Sequence, residues 1–329
     1  MPGPTPERLN ARLPSFTSTE AFSEGVRDIE LWREAVGAVS KHIGVPTGTE
    51  IVSRGARDTP TFTVGPGHVI KFYGSWARGH MRADTEIDTL TRLARIPDLP
   101  VPRLLATGDV GEIQGEWRYL AMSRIPGISL HDARDGLDAP AMVDAIGWMG
   151  RTLGSIHRVP LTDAEQADGR ERFLRIARQQ HARTSSVVTE RGRLARHLAA
   201  QVEDWLPTFD ELVPPRWPLV LLQNDLRLRH VLGGVQAGAF LPSGLIDFNR
   251  SFPGYPLWDL CHIWRDLRQE PMAARRAFLD AADIPGRDDD DFGRRALGFW
   301  LVQEADRFGD LSDINALDTL DEVAAHCFG

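Results

Sequence analysis

The first 125 residues alternate short apolar runs with polar turns, and the chain then passes into longer stretches of helical periodicity. Ile29, Trp32, Val36, Val39 and Ile43 recur every three or four residues, which predicts an amphipathic helix ended by Gly44, Pro46 and Gly48. Residues 61–64 read as a short strand and the mostly apolar 69–73 as a second, with the turn Gly65-Pro66-Gly67 between them. Residues 81–94 predict a second helix, with Ile87, Leu90 and Leu93 on one face and Asp84, Glu86 and Asp88 among them. Pro100 and Pro102 break that pattern, and strands are expected at 104–107 and 117–122. Residues 123–127 read as an extended hinge. Beyond it, Val143, Ile146, Met149, Leu153 and Ile156 mark a long helix over 142–157, and the Arg- and Gln-rich stretch 164–205 reads as exposed helices. Residues 219–248 break the helical pattern with a strand, a polar loop, a strand, a glycine turn and a strand that ends in Asp247.

Composition narrows the picture. Of the 329 residues, 42% are hydrophobic and 26% charged, the balance of a soluble globular protein. No apolar run approaches the roughly twenty residues a membrane helix needs, and residues 1–7 lack the features of a secretion signal. Cys261 and Cys327 have no metal-ligand spacing and suggest no disulfide framework, so a cytoplasmic protein is expected, read here as a monomer. The net charge of −8 argues against non-specific nucleic-acid binding and is compatible with a cationic small-molecule partner.

Three residues then stand out. Lys71 lies inside an apolar strand, where an unpaired lysine is rare. Asp225 closes the polar loop of the 219–248 stretch, and Asp247 closes its last strand. Either aspartate alone reads more readily as a turn residue. A strand lysine, a loop aspartate and a strand-end aspartate in that order make up the parts of a kinase. A kinase also needs a helix carboxylate to pair with the strand lysine, and Glu86 is the choice among its neighbours.

The chain also resembles the aminoglycoside phosphotransferases, most closely those that modify the 7″-hydroxyl of hygromycin B. The resemblance runs from about Trp32 to Gly329 and is carried by Val69-Ile70-Lys71-Phe72-Tyr73-Gly74, Val101-Pro102-Arg103-Leu104-Leu105, Tyr119-Leu120-Ala121-Met122-Ser123-Arg124 and Ile156-His157-Arg158-Val159-Pro160-Leu161-Thr162. It implies an α+β, bilobal protein-kinase-like fold: an N-terminal lobe over 1–125 with an antiparallel sheet, and a mainly helical C-terminal lobe over 126–329. It implies ATP or GTP with Mg²⁺, and antibiotic resistance as the biological role. Lys71 would hold the nucleotide phosphates and Glu86 would orient it, while Met122, Ser123 and Ile125 would meet the base. Asp225 would be the catalytic aspartate, Asp247 a metal ligand and Asp259 a structural brace.

The family's loop motif H-G-D-L-H-x-x-N reads here Gln223-Asn224-Asp225-Leu226-Arg227-Leu228-Arg229-His230. Its metal-binding Asn is thus His230: either the imidazole binds the metal anyway, with Mn²⁺ favoured over Mg²⁺, or the second metal is absent. Arg227 is placed as a catalytic cation near the γ-phosphate. The second motif, I-D-F-x-D, keeps Asp247 but ends in Arg250. For a cationic acceptor, Asp266, Glu304 and Asp306 on the last helices are the expected contacts. Three readings follow: an aminoglycoside kinase, a kinase of the same fold acting on a peptide or biosynthetic intermediate, and a nucleotide-binding pseudokinase.

Overall fold

In the computed structural model, residues 8–54, 58–111, 116–214, 217–304 and 310–329 are described, and they fall into two units. One comprises Met1–Gly127 with Ser243–Arg250, the other Ile128–Pro242 with Ser251–Gly329.

The first unit is built on a six-stranded sheet. Its strands are β1 (Arg8–Leu9), β2 (Ile51–Ser53), β3 (Thr61–Val64), β4 (His68–Tyr73), β5 (Leu104–Val110) and β6 (Trp117–Ser123), ordered β1-β5-β6-β4-β3-β2. Only β1 runs parallel to its neighbour; the other pairings are antiparallel. Three helices accompany the sheet: α1 (Thr19–Gly25), α2 (Ile29–His42) and α3 (Gly79–Leu93). The period-2 alternation of β4 divides its side chains between two faces. Ile70 and Phe72 join Phe62, Tyr119 and Ala121 in a core with Trp32, Val36 and Val39 of α2. Trp32 stacks on Phe72 at 5.1 Å between ring centres and meets Trp117 edge-on at 5.0 Å, contacts worth about 0.5–1.5 kcal/mol each beyond simple burial. Lys71 and Tyr73 point to the other face, where α3 brings Glu86. α2 begins where its periodicity does, with Asp28 capping Glu30 N–H. α3 starts at Gly79, two residues before the sequence pattern, because its N-cap Arg78 has a left-handed φ of 59° and no side-chain cap.

The sequence reading assigns residues 243–250 to the C-terminal lobe, yet their contacts lie in the first unit. Leu245 N–H donates to Pro100 O at 2.8 Å, and a Cβ at position 244 would fall 2.7 Å from the same carbonyl, so this close approach requires Gly244.

The second unit is mainly helical. In chain order it contains β7 (Ile128–Ser129), α4 (Leu130–Ala133), α5 (Ala139–His157), α6 (Asp163–His181), α7 (Thr184–Arg191), α8 (Arg196–Ala199), α9 (Val202–Trp205) and α10 (Phe209–Leu212). Then come β8 (Val220–Leu222), β9 (Val231–Gln236), β10 (Ala239–Leu245, which leads into the first unit), β11 (Phe252–Gly254), α11 (Leu257–Leu267), α12 (Met272–Ala282), α13 (Phe292–Glu304) and α14 (Leu320–Phe328). β8 pairs with β11, and β9 lies between β7 and β10. α5 packs closely on α12, since a Cβ at Gly150 would lie 2.5 Å from Phe278 O. α6 is one continuous helix, opened by a Thr162/Glu165 capping box, and it buries Phe173 and Ala177. Among the described residues no helix is long and apolar enough to cross a membrane.

Candidate active site

In the first unit, the strand lysine, the helix glutamate and the strand-end aspartate meet. Lys71 Nζ donates to Glu86 Oε1 at 2.7 Å and Oε2 at 3.1 Å, and to Asp247 Oδ1 at 3.2 Å. Glu86 is 1% exposed. Its carboxylate also accepts the Tyr73 hydroxyl at 2.5 Å and, at the outer limit of 3.4 Å, Phe248 N–H. Burial disfavours the Lys71 ammonium, but the Asp247 and Glu86 carboxylates outweigh it and hold its pKa well above the usual lysine range. Burial and the Glu86 charge push the Tyr73 phenol up, so it remains a donor. Asp247 has a φ of 70°, a left-handed conformation uncommon outside glycine and often found at functional sites.

Tyr73 has no role in the sequence reading. The available signal is its position two residues after Lys71, on the same strand face.

The strand preceding the hinge is tied into the sheet. Met122 pairs with Val69 and Leu104, Ser123 N–H donates to Arg103 O, and Arg124 N–H donates to Gly67 O. Of the hinge amides, those of Ser123 and Arg124 are therefore already used by the fold. The Ile125 side chain packs at Gly244, where a Cβ would come within 3.0 Å of it.

In the second unit, the loop after β8 is fixed by its backbone. Asp259, fully buried on α11, accepts Gln223 N–H at 3.0 Å and Asn224 N–H at 2.6 Å, and its Oδ2 lies 2.8 Å from His157 Nε2. Asn224 takes a left-handed φ of 60°, and its side-chain carbonyl accepts Trp258 Nε1–H. Asp225 N–H donates to the Gln223 side chain at 2.8 Å, and the Asp225 carbonyl accepts His230 Nδ1–H at 2.7 Å. The backbone on either side of the Asp225 carboxylate is thus held in place.

Three of the expected site residues are engaged in internal pairs. Arg227 and Asp266, read separately as a phosphate cation and an acceptor contact, bind each other through bonds of 2.9 and 2.5 Å. Burial opposes both charges, but the paired hydrogen bonds keep the Asp266 carboxyl below its usual range and the Arg227 guanidinium above its own. Glu304 is corrected from acceptor contact to internal brace: it is 0% exposed, 2.9 Å from His262 Nδ1 and 3.2 Å from Arg265 Nη1. α13 is buried along nearly its whole length, so its last carboxylate points inward too. Asp306 lies outside the described residues.

His230 is 5% exposed. Because Nδ1–H donates to the Asp225 carbonyl, Nε2 is the acceptor nitrogen, and Arg229 Nε–H donates to it at 3.1 Å. A metal would bind through Nε2, in competition with Arg229. Asp247 offers hard carboxylate oxygen, the donor type that Mg²⁺ takes.

A model of the phosphotransferase enzyme family matches residues 55–300. Among solved structures, the chain is similar to the GDP complex of wild-type aminoglycoside 2′-phosphotransferase-IIIa, at 14% identity and a TM-score of 0.63, over 89% of this chain and 96% of that one. It is similar to aminoglycoside-3′-phosphotransferase of type VIII at 20% identity and a TM-score of 0.52, over 83% and 98% of the two chains. A third match is the streptomycin–ATP–APH(2″)-IIa ternary complex, at 15% identity and a TM-score of 0.51, over 85% and 87%. At these identities the structural likeness shows the fold: an N-terminal antiparallel sheet followed by a helical C-terminal part, as in the kinase-like aminoglycoside phosphotransferases.

Proposed function

The chain belongs to the phosphotransferase enzyme family, and from that premise we propose that it phosphorylates a hydroxyl of an aminoglycoside or aminocyclitol of the hygromycin B type, using ATP or GTP. The observation that carries this reading is the buried Lys71–Glu86 pair joined to Asp247 in the first unit. A strand lysine paired with a helix glutamate is the device that positions nucleotide phosphates in kinases. Relatives captured with GDP, and with ATP and streptomycin together, support a purine nucleotide and a cationic small-molecule acceptor.

In this mechanism Lys71 binds phosphate oxygens and Glu86 fixes its direction. Asp225 aligns the acceptor hydroxyl and takes its proton as the oxygen bonds to the γ-phosphorus and the β–γ bridging bond breaks. Proton acceptance of this kind contributes about 10²–10⁴-fold. Asp247 in the first unit would hold a divalent ion through its carboxylate; such an ion neutralises phosphate charge. The hinge residues Met122, Ser123 and Ile125 would meet the base.

A second reading, nucleotide binding without transfer, is favoured by His230 standing at the family's metal-binding Asn with both ring nitrogens already hydrogen-bonded. Mass spectrometry of hygromycin B and other aminoglycosides incubated with protein, ATP and Mg²⁺ or Mn²⁺ separates the two. Gain of one phosphate on an acceptor is expected. Nucleotide binding with no modified acceptor would support the second reading.

A further inference from the structure

α11 carries Asp259 and Asp266 seven residues apart, two helical turns along one face. Asp259 accepts the amides of Gln223 and Asn224, just before Asp225. Asp266 accepts Leu228 N–H at 2.9 Å, just after it, and grips the Arg227 guanidinium with both oxygens. One helix thus holds the loop on both sides of the residue read as catalytic. The Arg227 and Asp266 side chains are 14% and 13% exposed, and the fork-to-carboxylate geometry gives the pair directional as well as electrostatic strength. Were Arg227 to turn toward a phosphate, Asp266 would remain a largely buried carboxylate with its main counter-charge gone.

We propose that Arg227 and Asp266 form a clasp that positions the Asp225 loop, and that Arg227 is a positioning residue rather than a phosphate-binding cation. The proposal rests on the phosphotransferase reading for its effect on rate. The clasp itself is testable without turnover.

The test compares wild type with Arg227→Gln, Arg227→Lys, Asp266→Asn and the Arg227→Gln/Asp266→Asn double variant. Readouts are acceptor phosphorylation, ATP dissociation constant and hydrogen exchange at the Leu228 amide. The clasp predicts that Asp266→Asn and Arg227→Gln each lower kcat by about tenfold or more, and that the double variant is no worse than either single one. It predicts an ATP dissociation constant within about twofold of wild type and faster exchange at Leu228 in Asp266→Asn. Arg227→Lys keeps the charge but not the fork, so it should behave like Arg227→Gln. The proposal is overturned if Arg227→Gln weakens ATP binding about tenfold while Arg227→Lys and Asp266→Asn retain wild-type binding and rate. Unchanged Leu228 exchange in Asp266→Asn also overturns it. If wild type phosphorylates no acceptor, the functional reading fails, while the exchange measurement still decides the clasp.

Discussion

Glu86 shows how much one carboxylate organises. Its two oxygens serve Lys71 and Tyr73 and reach toward Phe248 N–H, in a site from which water is largely excluded. Replacing Tyr73 with Phe deletes one hydrogen bond to a buried charge, so unfolding free energy should fall by about 1.5–3 kcal/mol. Urea denaturation measures this. ATP affinity should fall with it, because the Glu86 side chain that aims Lys71 loses one of its anchors; unaltered stability and affinity would remove Tyr73 from the site. The two buried thiols behave differently. Burial pushes Cys327 up to about 12 and Cys261 well above the ordinary thiol range. Since these folded-state values are raised, their contribution to stability is present below the ordinary thiol pKa and is lost as pH rises above it. Neither should react with iodoacetamide near pH 8 in native protein, and both should react in denaturant. Lys71 could be found in the sequence because a charge inside an apolar strand is conspicuous. Tyr73 is harder to find, because an aromatic residue in a strand is ordinary and only its place two residues after Lys71 marks it.

At the level of elements, α11 matters most. Asp259→Ala would leave two loop amides and His157 without their shared acceptor, and each buried unsatisfied group costs about 1–3 kcal/mol. The expected outcome is a clear fall in melting temperature together with loss of transfer. Wild-type stability in that variant would contradict the bracing role. The sequence reading of Asp259 as a brace came from the family resemblance, whereas the Arg227–Asp266 pair was hidden by its separation of 39 positions in the chain. Helix periodicity located α2 and α5 well because each buries one regular stripe. It missed the start of α3, where the first turn has no side-chain cap to announce it, and it gave no sign that Glu304 is buried on an almost wholly buried α13.

For the whole molecule, a sheet-bearing first part followed by a mainly helical one was visible in the strand blocks before residue 125 and the longer helical stretches after it. The return of residues 243–250 to the first unit was not, because it rests on long-range contacts, the close backbone approach at Gly244 and the Lys71–Asp247 bond among them. Binding of a nucleotide to the folded protein should stabilise it, by about 2.7 kcal/mol at a hundredfold excess over the dissociation constant. Thermal shift with ATP or GTP and either Mg²⁺ or Mn²⁺ tests this, and no shift with any combination would count against a nucleotide site. The most direct measurement of the central claim follows γ-labelled phosphate from ATP to hygromycin B, with wild type and Asp225→Ala side by side. The account predicts labelled acceptor with wild type, and a loss of about 10²–10⁴-fold in turnover with ATP affinity kept in the variant. Equal transfer by Asp225→Ala, or label reaching water and never an aminoglycoside, would contradict it.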